Sequence, residues 1–271
     1  MPREYIKGVL KSLFKTSLNL RLALPTLASQ CAVCRSWPAC PVCEPCIARF
    51  TPQLLRCRSC ALSLPQNFSS GPGNTPGRCA DCTKHPAPLD AMLVAVTYAY
   101  PWSELITRYK FGDTPGWAAF FAALLLQTPG VQQAFDALGS SDLIIALPLS
   151  PERLQWRGFN QAWELASTLA AQSGSLAKTD ARLLLRTKHT RPQTELQREA
   201  RLANVKDAFQ LDPLRTSLVM GKRVVLVDDV MTSGASLFTA AAALRAAGAA
   251  HITGLAVART AALAQLLSDQ T

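Results

Sequence analysis

The hydrophobic pattern of the last two-thirds of the chain predicts alternating strands and helices. Residues 142–147 and 223–227 are apolar runs without polar alternation, and residues 92–100 are rich in Val and Tyr. Uninterrupted apolar runs are typical of strands buried on both faces of a parallel sheet. The apolar segments 117–126 and 235–247 are long enough for covering helices. We therefore expect an α/β fold, with a parallel sheet flanked by helices.

Shorter elements are expected between these segments. The pattern predicts a short basic helix at 103–110, a short strand at 182–186, an edge segment around Leu211 and a last strand at 251–258. Residues 148–161 contain two prolines and read as a loop before another helix.

Nine cysteines lie between residues 31 and 82, and the remainder of the chain has none. Eight of them form four Cys-x-x-Cys pairs, and two such pairs close a tetrahedral Zn²⁺ site against water. We therefore expect two structural zinc ions rather than a catalytic one. Pairing of sequence neighbours assigns the first ion to Cys31, Cys34, Cys43 and Cys46, and the second to Cys57, Cys60, Cys79 and Cys82. An interleaved pairing stays open, as does the role of Cys40, which is spaced correctly to pair with Cys43.

These features predict three regions: a basic leader segment at 1–30, a double zinc-finger module at 31–87 and the α/β domain at 88–271. The lysines of the leader are spread among apolar residues, which does not match a secretion signal. It reads as a helix docked on the body or as a membrane-surface helix. No apolar run is long enough to span a membrane. Paired cysteines without a signal peptide indicate a reducing compartment, so we expect a cytoplasmic protein.

The formal net charge of +10 favours an anionic partner. Eight thiolates and two Zn²⁺ would lower it to about +6, which is still basic. Nucleic acid or a polyphosphate ligand is therefore favoured over an acidic protein.

The most informative stretch is residues 223–236, where an apolar strand ends in Asp228 and Asp229, followed by a polar turn and a helix. Hydroxyls and backbone N–H groups at a helix start form a site for a phosphate dianion. The two carboxylates can accept hydrogen bonds from sugar hydroxyls or approach Mg²⁺. A site for one phosphate beside a site for two sugar hydroxyls matches a ribose 5-phosphate. A nucleotide-binding P-loop fits less well because this turn has no lysine. The predicted binding residues are Asp228, Asp229, Thr232, Ser233, Gly234, Ala235 and Ser236.

Two further basic segments accompany this motif. Arg153 and Arg157 follow the strand at 142–147, where guanidinium groups suit phosphate oxygens, although a surface loop with solvated arginines is the alternative. Residues 182–206 carry seven basic and two acidic side chains. They read as a solvated helix, as a mobile cover over phosphates or as a strip that follows a nucleic-acid backbone.

The four cysteine pairs, the string Arg157-Gly158-Phe159-Asn160-Gln161 and the motif at 228–236 together resemble the ComF/GntX family. The resemblance covers residues 31–260. It implies a zinc-finger module on a type I phosphoribosyltransferase fold, binding of phosphoribosyl diphosphate (PRPP) with Mg²⁺, and a role in the uptake of transforming DNA. In that family the two acids bind the ribose hydroxyls and the following loop binds the 5-phosphate. Met231, Ser233 and Ser236 depart from the usual Val-Thr-Thr-Gly-x-Thr, but both serines keep a hydroxyl.

Three functions are compatible with the sequence. In a phosphoribosyltransferase, Arg153 and Arg157 would stabilise the departing pyrophosphate as catalytic residues. No general base stands out and the acceptor is not indicated, so enzymatic activity stays open. The second function is a non-catalytic PRPP sensor or single-stranded-DNA-binding protein. The third is a zinc-stapled interaction partner in DNA-uptake machinery.

Overall fold

The computed structural model describes residues 29–39, 41–66, 68, 77–112, 116–187 and 208–261. The described residues up to 43 belong to one compact unit, and the described residues from 44 onward belong to a second. The predicted regions 1–30, 31–87 and 88–271 stay a prediction. The leader and the basic segment at 188–206 fall outside the described residues, apart from Ser29 and Gln30.

Five parallel strands form the sheet of the second unit, in the order β1-β7-β6-β2-β3. Its strands are β1 (Ala91–Thr97), β2 (Leu143–Ala146), β3 (Lys178–Thr179), β6 (Arg223–Met231) and β7 (His251–Arg259). The predicted parallel α/β fold is thus confirmed. The apolar runs are buried strands, and the short β3 carried no hydrophobic signal because both of its residues are exposed.

Helices pack on both faces of this sheet. Val224 and Leu226 share a core cluster with Leu237 and Leu244 of α8 (Ala235–Ala246). Successive side chains of a strand alternate between faces. The buried Val225 therefore faces the other side, where α7 (Gln161–Ser173) packs on β2 and β6. Helix α4 (Trp117–Leu126), predicted with the same bounds, packs on α7.

The remaining elements are short. They are α1 (Glu44–Phe50), α2 (Ala80–Lys84), α3 (Trp102–Phe111), α5 (Val131–Asp136), α6 (Pro151–Arg157) and an antiparallel pair, β4 (Leu184–Arg186) with β5 (Phe209–Leu211). Among the described residues, no helix has both the length and the hydrophobicity required to cross a membrane.

The segment 57–82 belongs to the same hydrophobic core as the sheet. The four cysteines of this segment are buried in one cluster with Leu89, Met92 and residues of α8. The backbone N–H of Met92 also donates a hydrogen bond to the Arg58 carbonyl (2.8 Å). The second cysteine cluster is therefore built into the α/β core.

Candidate functional site

A cleft of about 490 Å³ lies at the carboxyl edge of the sheet, beyond the ends of β2 and β6. Ligands of open parallel sheets bind at this edge. Residues from six separate elements line the cleft, and the predicted ones among them are Arg153, Arg157, Asp228, Asp229, Thr232, Gly234, Ala235 and Ser236. Ser233 does not line it; its Oγ accepts a hydrogen bond from the Ala235 N–H (3.3 Å).

The two aspartates at the end of β6 differ in their surroundings. Asp229 is buried, and its Oδ2 lies 3.1 Å from the Lys110 ammonium. Asp228 Oδ1 accepts a hydrogen bond from the Asp229 N–H (2.8 Å). Burial, followed by the neighbouring Asp229 charge, raises the pKa of Asp228 to about 8. Lys110 compensates the charge of Asp229, whereas ionised Asp228 would be stabilised by a bound cation or hydroxyl donor.

The turn after β6 favours a glycine at position 234. Gly234 has φ of +84°, and a Cβ there would lie 2.5 Å from Met231 Cε and 2.9 Å from Phe238 Cε2. The left-handed backbone disfavours a side chain, and the Phe238 ring would have to move to make room for one. This turn leads directly into the 12-residue helix α8, whose N-terminus lies at the cleft. The arrangement suits a phosphate dianion.

A buried arginine donates hydrogen bonds to the backbone of this turn. Arg259, at the end of β7, donates from Nε to the Cys60 carbonyl (2.9 Å). Its Nη1 donates to the carbonyls of Met231 (3.4 Å), Thr232 and Thr260 (2.8 Å). One guanidinium therefore links the second cysteine cluster to the phosphate-type turn.

The predicted loop at 148–161 is wrong in part, because residues 151–157 form helix α6. Ser150 caps it by accepting a hydrogen bond from the Arg153 N–H (3.4 Å), and Pro151 occupies its first turn. Gly158, with φ of +82°, ends the helix. A proline beside a Ser cap was the signal for a helix start that the sequence reading missed.

The string 157–161 builds the junction between α6 and α7. Asn160 Oδ1 accepts from the Ala162 N–H (3.0 Å) and thereby caps α7, while its Nδ2 donates to the Leu147 carbonyl at the end of β2 (3.1 Å). Arg157 Nη1 donates to Gln161 Oε1 (2.6 Å). These contacts fix the position of Arg157 in the cleft wall.

The lining residues that were not anticipated as site residues include Lys110, Phe111, Trp156 and Arg186. Lys110 and Phe111 come from the last turn of α3, a segment that was predicted as a short basic helix without a role in the site. Arg186 lies on β4, and its guanidinium is 5.3 Å from the Phe209 ring centroid. Burial lowers the pKa of both Arg157 and Arg186, and the nearby aspartate charges oppose this. No local sequence pattern brings these residues to one edge; the strand order does.

The eight described cysteines group as sequence neighbours. The sulfurs of Cys31, Cys34, Cys43 and Cys46 lie within 4.8 Å of one another, and so do those of Cys57, Cys60, Cys79 and Cys82. None of these eight cysteines forms a disulfide. Cys40 lies outside the described residues. Each cluster offers four soft ligands, as a tetrahedral Zn²⁺ requires.

Two observations support the fit to a metal. Arg35 and Ala61, which each follow the second cysteine of a pair, have positive φ (64° and 54°) and donate N–H hydrogen bonds to the carbonyls of Cys31 and Cys57. The two knuckles thus share one backbone turn. Hydrogen bonds from Cys60 and Cys82 lower the pKa of Cys57, while the hydrogen bond with Cys57 is the main cause that raises the pKa of Cys60 to about 12. Four thiols this close cannot all ionise without a cation.

Comparison with known proteins finds one family match and several similar chains. The phosphoribosyl transferase domain family matches residues 158–269. The DNA utilization protein YhgH of Salmonella typhi is 30% identical over 241 residues, which cover 87% of this chain and 99% of that protein. Competence protein F of Haemophilus influenzae is 32% identical over 181 residues, covering 67% and 78% of the two chains. The crystal structure of TT1426 from Thermus thermophilus matches 57% of this chain and 86% of its own, with a TM-score of 0.29 and 15% identity.

Proposed function

The chain belongs to the ComF/GntX family, and on this premise we propose that it binds PRPP with Mg²⁺ at the carboxyl edge of the sheet and acts in DNA uptake. The observation that carries the proposal is the shared cleft of Asp228, Asp229, the turn after β6 and the arginines of α6. PRPP requires carboxylates for its diol, a helix N-terminus for its 5-phosphate and cations for its pyrophosphate, and this cleft contains all three.

Each lining group has a role in this proposal. Asp228 and Asp229 would accept hydrogen bonds from the ribose hydroxyls or approach Mg²⁺, which prefers carboxylate oxygens. The turn of Thr232, Ser233, Gly234, Ala235 and Ser236 would take the 5-phosphate. Arg153 and Arg157 would take the pyrophosphate, joined by Lys110 and Arg186. Bound Mg²⁺ would supply charge neutralisation of the pyrophosphate.

The two cysteine clusters would each hold one structural Zn²⁺. We propose a cytoplasmic location, since thiols grouped for metal binding suit a reducing compartment. The proposed role in DNA uptake is based on the names of the relatives, a DNA utilization protein and a competence protein.

Two activities follow from the same site: transfer of the phosphoribosyl group, or PRPP binding without turnover. Among the described residues lining the cleft there is no histidine, and Asp228 is the carboxyl whose pKa is raised toward neutrality. This composition favours positioning and charge stabilisation over a dedicated histidine base. Pyrophosphate release in the presence of PRPP, Mg²⁺ and single-stranded DNA would identify a transferase.

Calorimetric titration of the zinc-loaded protein with PRPP and Mg²⁺ tests the proposal. We expect the double variant Asp228→Ala with Asp229→Ala to lose binding by a hundredfold or more, on the order of two charged hydrogen bonds, with both zinc ions retained. Asp136→Asn, an exposed aspartate of α5, is the control and should bind as wild type does. Unchanged PRPP affinity in the double variant would overturn the proposal.

A further inference from the structure

Helix α6 carries an exposed tryptophan that is not part of the hydrophobic core. None of its seven residues is buried, and Trp156 is 74% exposed. Leu154 on the same helix is also exposed. Exposed apolar side chains mark a binding surface only where they form a contiguous patch.

Trp156 contacts a second exposed ring. Phe111, at the end of α3, is 55% exposed, and its ring centroid lies 5.5 Å from that of Trp156 at an interplanar angle of 60°. The Arg157 guanidinium lies 4.9 Å from the Phe111 centroid on the same wall. The two rings and the guanidinium form one surface at the cleft, which we name the aromatic rim.

The charges around the aromatic rim distinguish between kinds of partner. The cleft wall carries four cationic side chains, from Lys110, Arg153, Arg157 and Arg186, against the two aspartates of β6. Protein interfaces also combine aromatic residues with arginine, but their cores are depleted in charged residues overall, whereas this wall carries six charged side chains. Aromatic rings interleaved with cations are instead the composition of surfaces that bind single-stranded nucleic acid, where bases stack on rings and phosphates contact cations.

We propose that Trp156 and Phe111 form a stacking site for an unpaired base of single-stranded DNA, with the adjoining phosphates held by Arg153 and Arg157. The strand is single because bases in a duplex are stacked on each other and their faces are not available. The inference rests on the proposed role in DNA uptake. Because Arg153 and Arg157 are also the proposed pyrophosphate ligands, PRPP and the DNA strand would compete for these two side chains.

Fluorescence anisotropy tests the proposal: a labelled single-stranded oligothymidylate of 20 nucleotides (the 20-mer) is titrated with the zinc-loaded full-length protein. We expect Trp156→Ala and Phe111→Ala each to weaken binding by roughly 5- to 150-fold, the range for loss of one stacked base. Trp156→Tyr should restore most of the affinity, since a tyrosine ring also stacks. Thymidine 5′-monophosphate should compete only weakly, because it has one phosphate.

Two controls isolate stacking from general effects of losing apolar surface. Leu154→Ala removes an exposed apolar side chain from the same helix, and Trp37→Ala removes a 65% exposed tryptophan that does not line the cleft. Both should bind the 20-mer as wild type does. Urea unfolding of every variant checks that the protein remains stably folded.

The proposal is overturned if wild type does not bind the 20-mer, or if Trp156→Ala and Phe111→Ala bind within twofold of the controls. Free nucleotide competing as well as the 20-mer would also overturn it, because the site would then take a mononucleotide. PRPP titration of wild type is independent of these results. PRPP binding together with an unaffected Trp156→Ala variant would refute the stacking site and leave the proposed function standing.

Discussion

At the scale of single residues, Asp228 carries the clearest electrostatic signature of the molecule. Its pKa is raised to about 8 by burial and by the charge of Asp229, while Lys110 pairs with Asp229. At neutral pH the Asp228 carboxyl is mostly protonated, and burying this neutral form costs little folding free energy. Its ionised form becomes favourable when a cation or hydroxyl donor arrives, so ligand binding should release a proton.

We therefore predict that the affinity for PRPP with Mg²⁺ rises with pH up to about 8 and then levels off. Below that pKa, each pH unit changes the ionised fraction of Asp228 by up to about tenfold. Calorimetry between pH 6 and 9, in buffers of differing ionisation enthalpy, measures both the affinity and the protons released.

Asp228→Asn is the matched control, since any pH dependence that it retains comes from the ligand or other residues. The same variant tests stability. A folded-state pKa above the unfolded value means that Asp228 lowers stability as the pH rises from about 4 to 8. Asp228→Asn should remove that decline in urea unfolding. An affinity profile identical to that of wild type would contradict the assignment.

The sequence was sufficient for some of these residues and insufficient for others. Asp228 and the turn to Ser236 are contiguous, so one local string shows a strand end, two acids and a helix start. Lys110 and Arg186 belong to separate elements, and only the spatial arrangement of α3 and β4 beside β6 brings them to the cleft. Trp156 was not predicted as a site residue for a different reason. Its helix was predicted as a loop, and the sequence of a loop does not indicate which aromatic side chains share a surface.

At the scale of elements, β7 connects the second cysteine cluster with the turn after β6. Arg259 is the connection, since its Nε contacts the Cys60 carbonyl and its Nη1 contacts the carbonyls of the turn. Arg56 lies nearby: it donates to the Ala61 carbonyl (3.1 Å), and the Arg259 charge contributes to lowering its pKa, after burial. Two cations beside four thiols would balance the −2 charge of a Zn²⁺ bound by four thiolates.

Arg259→Lys should destabilise the protein by about 2–4 kcal/mol and weaken PRPP binding. Lysine keeps the charge, but a single ammonium cannot reach both the Cys60 carbonyl and the turn, and buried carbonyls left without donors cost about 1–3 kcal/mol each. Urea unfolding and calorimetric titration with PRPP and Mg²⁺ measure the two effects.

Arg58→Lys serves as the control, because Arg58 lies in the same cysteine segment and is exposed. It should unfold and bind as wild type does. Equal behaviour of the Arg259 and Arg58 variants would show that the turn does not depend on this guanidinium.

At the scale of the whole molecule, the two cysteine clusters differ in what depends on them. Cys57, Cys60, Cys79 and Cys82 are buried in one hydrophobic cluster with β1, β6 and α8. In the first cluster, Cys34 is exposed, and Cys31, Cys34 and Cys43 belong to the unit that ends at residue 43. The spacing of the pairs predicted both clusters alike. It could not indicate this difference, which depends on the packing of Leu89 and Met92 against the second one.

We accordingly predict unequal consequences of zinc loss. Cys60→Ser should remove one zinc, lower the unfolding temperature by several degrees and weaken PRPP binding, because the second cluster shares its core and Arg259 with the cleft. Cys34→Ser should also remove one zinc yet leave the main unfolding transition and PRPP affinity near wild type. Metal analysis, thermal unfolding and calorimetry on both variants measure these effects. Equal losses of PRPP affinity would mean that the cleft depends on both clusters, and full binding by Cys60→Ser would refute the coupling through Arg259.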